Sequence, residues 1–194
     1  MMKRIVLMML VLTACMAAGA QNAKTLYEQG KALYDAKDYA KAFPKLKAAA
    51  EKGNKKAQYR LGRCYEKGRG VAKDEAAAFK WYSKGATQEH SKSEYAVGKC
   101  YKDGIGVKKD RKKAFTFFMR AARQEYADAQ YQVAKSYLKG KGTEADPKKA
   151  KSWLNKAVKN PKGGDDVMKK IRDDAADGDE DAREMLKLIN SKAK

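Results

Sequence analysis

A helical phrase recurs three times at a spacing of 36 residues, and this recurrence constrains the fold more than any other feature of the chain. The first copy reads Leu61-Gly62-Arg63-Cys64-Tyr65-Glu66-Lys67-Gly68-Arg69-Gly70-Val71, and the second Val97-Gly98-Lys99-Cys100-Tyr101-Lys102-Asp103-Gly104-Ile105-Gly106-Val107. The third is Val133-Ala134-Lys135-Ser136-Tyr137-Leu138-Lys139-Gly140-Lys141-Gly142-Thr143. The phase is strict: Tyr65, Tyr101 and Tyr137 differ by 36, as do Asp74, Asp110 and Asp146. A period in this range means stacked supersecondary units, each too small to bury its own apolar face. The pattern predicts an all-α, right-handed α-solenoid of helix-turn-helix repeats with about ten helices and no strand. It also moves the functional question from catalysis to binding.

Each unit can be read residue by residue. Leu61 and Tyr65, or Val97 and Tyr101, lie four apart and form one apolar stripe on a first helix. Gly62 and Gly98 sit on that helix where a missing side chain lets a second helix come close. The Gly-x-Gly pair ends the first helix, because glycine accepts positive φ at a C-terminal cap. Asp74, Asp110 and Asp146 are placed to cap the second helix, with Pro147 suited to its first position. Ala78, Tyr82 and Ala86 continue a buried stripe along it. A Gly-x-Gly can also cradle phosphate, but here it recurs between helices with no preceding strand, so it reads as a turn.

Together these residues form the pattern LGxxYxxGxGVxxD…A…WYxKAA, which resembles the Sel-one-like repeat, a relative of the tetratricopeptide repeat. The best copy carries Leu61, Gly62, Tyr65, Gly68, Gly70, Val71, Asp74, Ala78, Trp81, Tyr82 and Ala86. The second keeps Gly98, Tyr101, Gly104, Gly106, Val107, Asp110, Ala114, Phe117, Phe118 and Ala122. The third departs at Ala134, Thr143 and Trp153-Leu154. The resemblance implies an adaptor or scaffold role and no catalytic residue. It divides the chain into Sel-one-like repeats at 55–90, 91–126 and 127–160.

The flanks differ. Residues 21–54 read as a shorter tetratricopeptide-like repeat, with Leu26, Gly30, Leu33, Ala42, Leu46 and Ala49 in phase. Pro44 falls inside its expected second helix and removes a backbone donor, which predicts a kink or a late helix start. Beyond Asn160-Pro161-Lys162-Gly163-Gly164, residues 161–194 read as two capping helices, Asp165–Ala176 and Asp179–Asn190. The second of these echoes a degenerate first helix.

Residues 1–20 read as a signal peptide: Lys3-Arg4 start it, Ile5–Leu12 form its apolar core, and Ala18-Gly19-Ala20 precede Gln21. Leu12-Thr13-Ala14-Cys15 also resembles a bacterial lipobox, in which a lipoprotein signal over 1–14 would leave Cys15 lipidated. Either route exports the chain to the periplasm or cell envelope, as an outer-membrane lipoprotein in the second case. The net charge is +20 and uneven. Residues 165–194 hold nine acidic and seven basic residues, whereas 21–164 hold 35 basic and 15 acidic ones. A basic array raises nucleic acid as a partner, but an exported chain rarely meets it and no nucleic-acid module is visible. Anionic envelope polymers, lipid headgroups or an acidic protein fit better.

Catalysis finds little support. His90 is the only histidine, and no cysteine pair has zinc-ligand spacing. No catalytic residue, metal or cofactor is expected. Cys64 and Cys100 occupy one slot of successive repeats, where stacking keeps chains about 8–10 Å apart; a disulfide needs Cα atoms within about 7 Å. The candidate ligand-binding residues are four aromatic–cation pairs at i, i+4: Tyr27 and Lys31, Tyr59 and Arg63, Tyr95 and Lys99, Tyr131 and Lys135. That spacing places both members of a pair on one helical face. Kinship to tetratricopeptide proteins implies that first helices face ligand. The leading reading is a non-catalytic, monomeric scaffold binding a protein or peptide partner. An anionic polymer or lipid headgroup comes second, and a hydrolase ranks behind both.

Overall fold

The computed structural model describes residues 21–191, so the expected signal segment and Cys15 lie outside the described residues. Among the described residues the chain forms ten helices and no strand. These are α1 (21–35), α2 (Tyr39–Glu51), α3 (Lys55–Lys67), α4 (Glu75–Thr87), α5 (Ser91–Asp103), α6 (Arg111–Arg123), α7 (Ala127–Lys139), α8 (Pro147–Val158), α9 (Gly164–Ala176) and α10 (Glu180–Asn190). They divide into two compact units, one ending at Gln88 and one beginning at Glu89.

In the first unit α2 packs on α3 and α3 on α4. Its core gathers Tyr27, Leu46, Leu61 and Cys64 among small residues Ala42, Ala49, Ala50 and Ala57. So many alanines bring helix axes close, because no long side chain holds them apart. Pro44 does not delay α2, which starts five residues upstream at Tyr39 and runs through the proline. The Asp38 side chain caps that early start by accepting from the Lys41 N–H.

In the second unit α5 pairs with α6, α7 packs on both α6 and α8, and α9 and α10 close the C-terminal end against α8. Two clusters form here. One centres on Phe118, Ala121, Ala122 and Val133. The other joins Tyr131 and Leu154 to Val167, Ile171 and Met185 of the last two helices.

The helix ends behave as their sequence requires. Gly68, Gly104 and Gly140 close α3, α5 and α7 in the left-handed region, at φ +66°, +80° and +61°. The Asp74, Asp110 and Asp146 carboxylates each accept a backbone N–H three residues on, from Ala77, Lys113 and Lys149, all at 2.9 Å. Such caps satisfy donors that no helix can satisfy internally.

Glycine on the first helix sets the spacing within a pair. A Cβ on Gly62 would lie 2.5 Å from the Tyr82 ring, and one on Gly98 would lie 2.6 Å from Phe118. Real carbon atoms do not approach so closely, so only glycine admits these rings. In the third repeat Ala134 faces Leu154, and both are buried. The branched aliphatic leaves room for the methyl that a ring would exclude.

A second periodic pair is polar. Gln88 Nε2 donates to Gln58 Oε1 at 2.8 Å, Gln124 Nε2 to Glu94 Oε2 at 2.6 Å, and Asn160 Nδ2 to Gln130 Oε1 at 3.1 Å. Gln58, Glu94 and Gln130 are buried. Gln58 and Gln130 also donate to the Ala50 and Ala122 carbonyls, eight residues back. Arg183 Nε makes the same eight-residue bond to Ala175 at 3.2 Å, and Asp179 caps α10 through Ala182 as Asn54 caps α3 through Ala57. The last helix is thus built as a degenerate first helix.

Candidate ligand-binding groove

The aromatic–cation pairs lie on α1, α3, α5 and α7, and the two halves of each pair have different surroundings. Tyr27 and Tyr131 are buried, at 7% and 2% exposure. Tyr59 and Tyr95 are half-buried, with ring centroids 5.8 Å from Tyr82 and 5.7 Å from Phe118. The tyrosines therefore pack between helices. The lysines lie nearer solvent than their tyrosines, whereas Arg63 is half-buried like Tyr59. Lys31 pairs with Asp35 at 3.0 Å, Arg63 donates to the Tyr59 hydroxyl at 3.4 Å, Lys99 is exposed, and Lys135 sits 5.6 Å from the centre of the Tyr131 ring. Arg63, Lys99 and Lys135 have no ion-pair partner among the described residues.

In the first unit the sequence reading missed Arg60, Arg69 and Tyr34. The two guanidiniums lie 5.1 and 5.3 Å from the Tyr34 ring centre, and Arg69 also lies 4.9 Å from that of Tyr39. Arg60 reaches Asp35 at 3.1 Å. No periodic signal marks these residues, since the positions equivalent to Arg60 are Ala96 and Gln132. Arg63 Nε is buried without a hydrogen-bond partner. Burial is the largest single influence and opposes the Arg63 charge, but Tyr59, Tyr34 and Tyr82 together offset it and hold the guanidinium pKa above its ordinary value.

The second unit contains a cavity of about 600 Å³ beside α7, lined in part by the α9–α10 turn. One part of its lining is basic, including Arg111, Lys135 and Lys141; another is acidic, including Asp174, Asp177 and Asp181. Tyr131 lines it too, and the phenol oxygen is buried with no hydrogen-bond partner. Burial, with the nearby charges of Asp174, Asp179 and Asp181, pushes its pKa up to about 12. The phenol therefore stays protonated and can donate at neutral pH.

No group of three or more His, Cys, Asp or Glu among the described residues could hold a metal ion. His90 occupies the N-cap position of α5, half-buried, with its Nδ1 2.9 Å from the Ser93 hydroxyl. Cys64 and Cys100 are buried, and neither forms a disulfide among the described residues. Burial pushes the Cys64 thiol up to about 11, which keeps it a poor nucleophile. No described helix is long and apolar enough to cross a membrane.

The geometry has parallels in solved structures. A Sel1 repeat protein from Oxalobacter formigenes superposes with a TM-score of 0.68 at 27% identity, covering 82% of this chain and 74% of its own. The protective antigen c5321 of uropathogenic Escherichia coli, which displays an SLR fold, gives a TM-score of 0.70 at 26% identity. That match covers 86% of this chain and 37% of the antigen, so this chain spans little more than a third of that protein. No curated protein matches the sequence. The Sel1 repeat itself is matched over residues 55–90, 91–126 and 127–161. Three consecutive copies, covering more than half of the chain, place it in the Sel1 repeat family.

Proposed function

We propose that this protein is a non-catalytic, exported scaffold that binds a protein or peptide partner along the face of its first helices. Sel1 repeats typically mediate protein–protein interaction, and this supports the general class. The observation that carries the finer reading is that Lys99 and Lys135, on the first helices α5 and α7 of the second unit, have no carboxylate of the described residues within ion-pair distance, as Arg63 has none in the first unit. Charged groups on such a face steer and register a complementary partner. The partner is therefore acidic and extended, and the protein binds it as a monomer. Export is supported by Lys3-Arg4, the apolar Ile5–Leu12 and Ala18-Gly19-Ala20; a lipid on Cys15 would add a membrane anchor. Cell fractionation with N-terminal sequencing tests this, and recovery of the intact chain from the cytoplasm would refute export.

Lys108, Lys109, Arg111, Lys112 and Lys113 favour a second reading, in which an anionic envelope polymer or lipid headgroup binds an exposed basic face. One experiment separates the two. Changing Lys31, Arg63, Lys99 and Lys135 together to Ser should preserve the helical spectrum and weaken capture of a partner from an envelope extract. Capture that survives this change but is lost on neutralising Lys108, Lys109, Lys112 and Lys113 would replace the first reading with the second.

A further inference from the structure

The cavity in the second unit has walls of both signs, and their charges are unequally spent. On the acidic side Asp174 takes Lys170 at 2.9 Å, Asp181 takes Lys139 at 2.8 Å, and Asp179 caps α10 at the Ala182 N–H. On the basic side Arg111, Lys135 and Lys141 have no carboxylate within ion-pair distance among the described residues. Asp177 on the acidic side has no ion pair either, and the Tyr131 hydroxyl, on a residue 2% exposed, has no hydrogen-bond partner. A buried donor without an acceptor carries a desolvation cost that an incoming acceptor would remove. Lys139, one turn along α7 from Lys135, already holds Asp181 and Glu184, so carboxylates are what this face accepts.

We propose that this cavity seats an acidic peptide segment in extended conformation. Tyr131 donates to one of its backbone carbonyls, and Arg111, Lys135 and Lys141 take its side-chain carboxylates. This rests on the peptide-binding reading above and assigns it to the second and third repeats, where they meet the C-terminal helices. The aspartate wall selects a peptide over a uniform polyanion. An extended chain sends successive side chains to opposite sides, so carboxylates at alternate positions meet the basic wall while neutral ones meet the aspartates. Half-buried Phe115 adds apolar surface to the lining. A polymer charged at every unit would bring anions against Asp174, Asp177 and Asp181.

The test uses the full-length chain and a fluorescein-labelled dodecapeptide of alternating Glu and Thr, followed by anisotropy. A Gln–Thr dodecapeptide and a dodecamer of Glu serve as comparisons. The alternating peptide should bind more tightly than either. Tyr131→Phe should weaken it about tenfold with the thermal midpoint unchanged or raised, since the hydroxyl it removes bonds to nothing in the free protein. Arg111→Ser with Lys141→Ser should weaken it at least as much. Unchanged affinity in both variants, or tighter binding of the Glu dodecamer, would overturn the assignment. If these variants bind normally while the Lys31, Arg63, Lys99 and Lys135 quadruple change abolishes binding, the first-helix reading stands and the cavity fails. If the quadruple change is also silent, both fail.

Discussion

Repeats 91–126 and 127–160 share one backbone plan and meet two of its demands with different residues. Where the helices of a pair touch, the first uses Gly98 beneath the Phe118 ring and the second uses Ala134 against Leu154. At the buried polar slot, the first places Glu94, held by Gln124 and Arg120, and the second places Gln130, held by Asn160. The unit of design is therefore a pair of slots, 20 or 30 residues apart, whose occupants change together. A departure from the family pattern at one slot is informative only with its partner in view.

The polar slot gives the largest test of this pairing. Arg120 Nε and Nη2 both lie 2.8 Å from Glu94 Oε1, and the Glu94 side chain is 1% exposed. Removing one partner of a buried pair strands the other charge, typically at about 3–5 kcal/mol. Arg120 opens partly to solvent, so Arg120→Ala should cost near the lower end of that range in chemical denaturation. Lys156→Ala, at the equivalent position of the next repeat, removes only a contact with the Trp153 ring at 4.5 Å. It should cost less than about 1 kcal/mol. Equal losses in the two variants would show that the two repeats do not differ as described.

The apolar slot comes next. Gly98→Ala forces a methyl into the Phe118 ring, and overpacking of this kind costs about 1–3 kcal/mol. Adding Phe118→Leu copies the Ala134–Leu154 solution and should recover part of the loss, despite shrinking a buried side chain. The coupling between the two changes is the quantity to measure. Strict additivity in a double-mutant cycle would break the argument that the slots are paired.

The glycine–aromatic contact and the caps were legible in the sequence because each is set locally or repeats in phase. Asp74, Asp110 and Asp146 needed only the helix that follows them. The polar pairs were missed, although Gln58, Glu94 and Gln130 recur at the same period, as do Gln88, Gln124 and Asn160. Following the apolar stripe alone passes over a buried glutamine, since glutamine and glutamate are ordinarily surface residues. Of the two effects expected of Pro44, the late helix start does not occur, because the Asp38 side chain secures the turn before it. Of the cavity, only Tyr131 and Lys135 were named from the sequence as binding residues. Its basic members Arg111, Lys135 and Lys141 lie in three different contexts, and only the docking of α9 and α10 brings aspartates to Tyr131. That docking rests on Val167, Ile171 and Met185, for which no repeat supplies a phase.

The smallest expected effect sharpens the comparison most, because it turns one repeat's polar slot into the other's. Glu94→Gln places an amide where both neighbouring repeats already carry one, and Gln124 can still donate to its oxygen. Burial raises the Glu94 pKa, and the Arg120 charge offsets only part of that rise. A carboxyl whose pKa is higher folded than unfolded favours the folded state fully below the unfolded value, near 4.3. That contribution is lost as pH rises through the folded pKa. The native chain should thus lose stability relative to Glu94→Gln on going from pH 4 to neutrality. At pH 7 the variant should be neutral or about 1 kcal/mol more stable, as when a buried ion pair gives way to an uncharged group of similar shape. At pH 4 the advantage should vanish. Thermal midpoints of both chains across this range provide the check. If the native chain gains on the variant as pH rises, the Arg120 pair outweighs burial, and the middle repeat keeps its charge for stability.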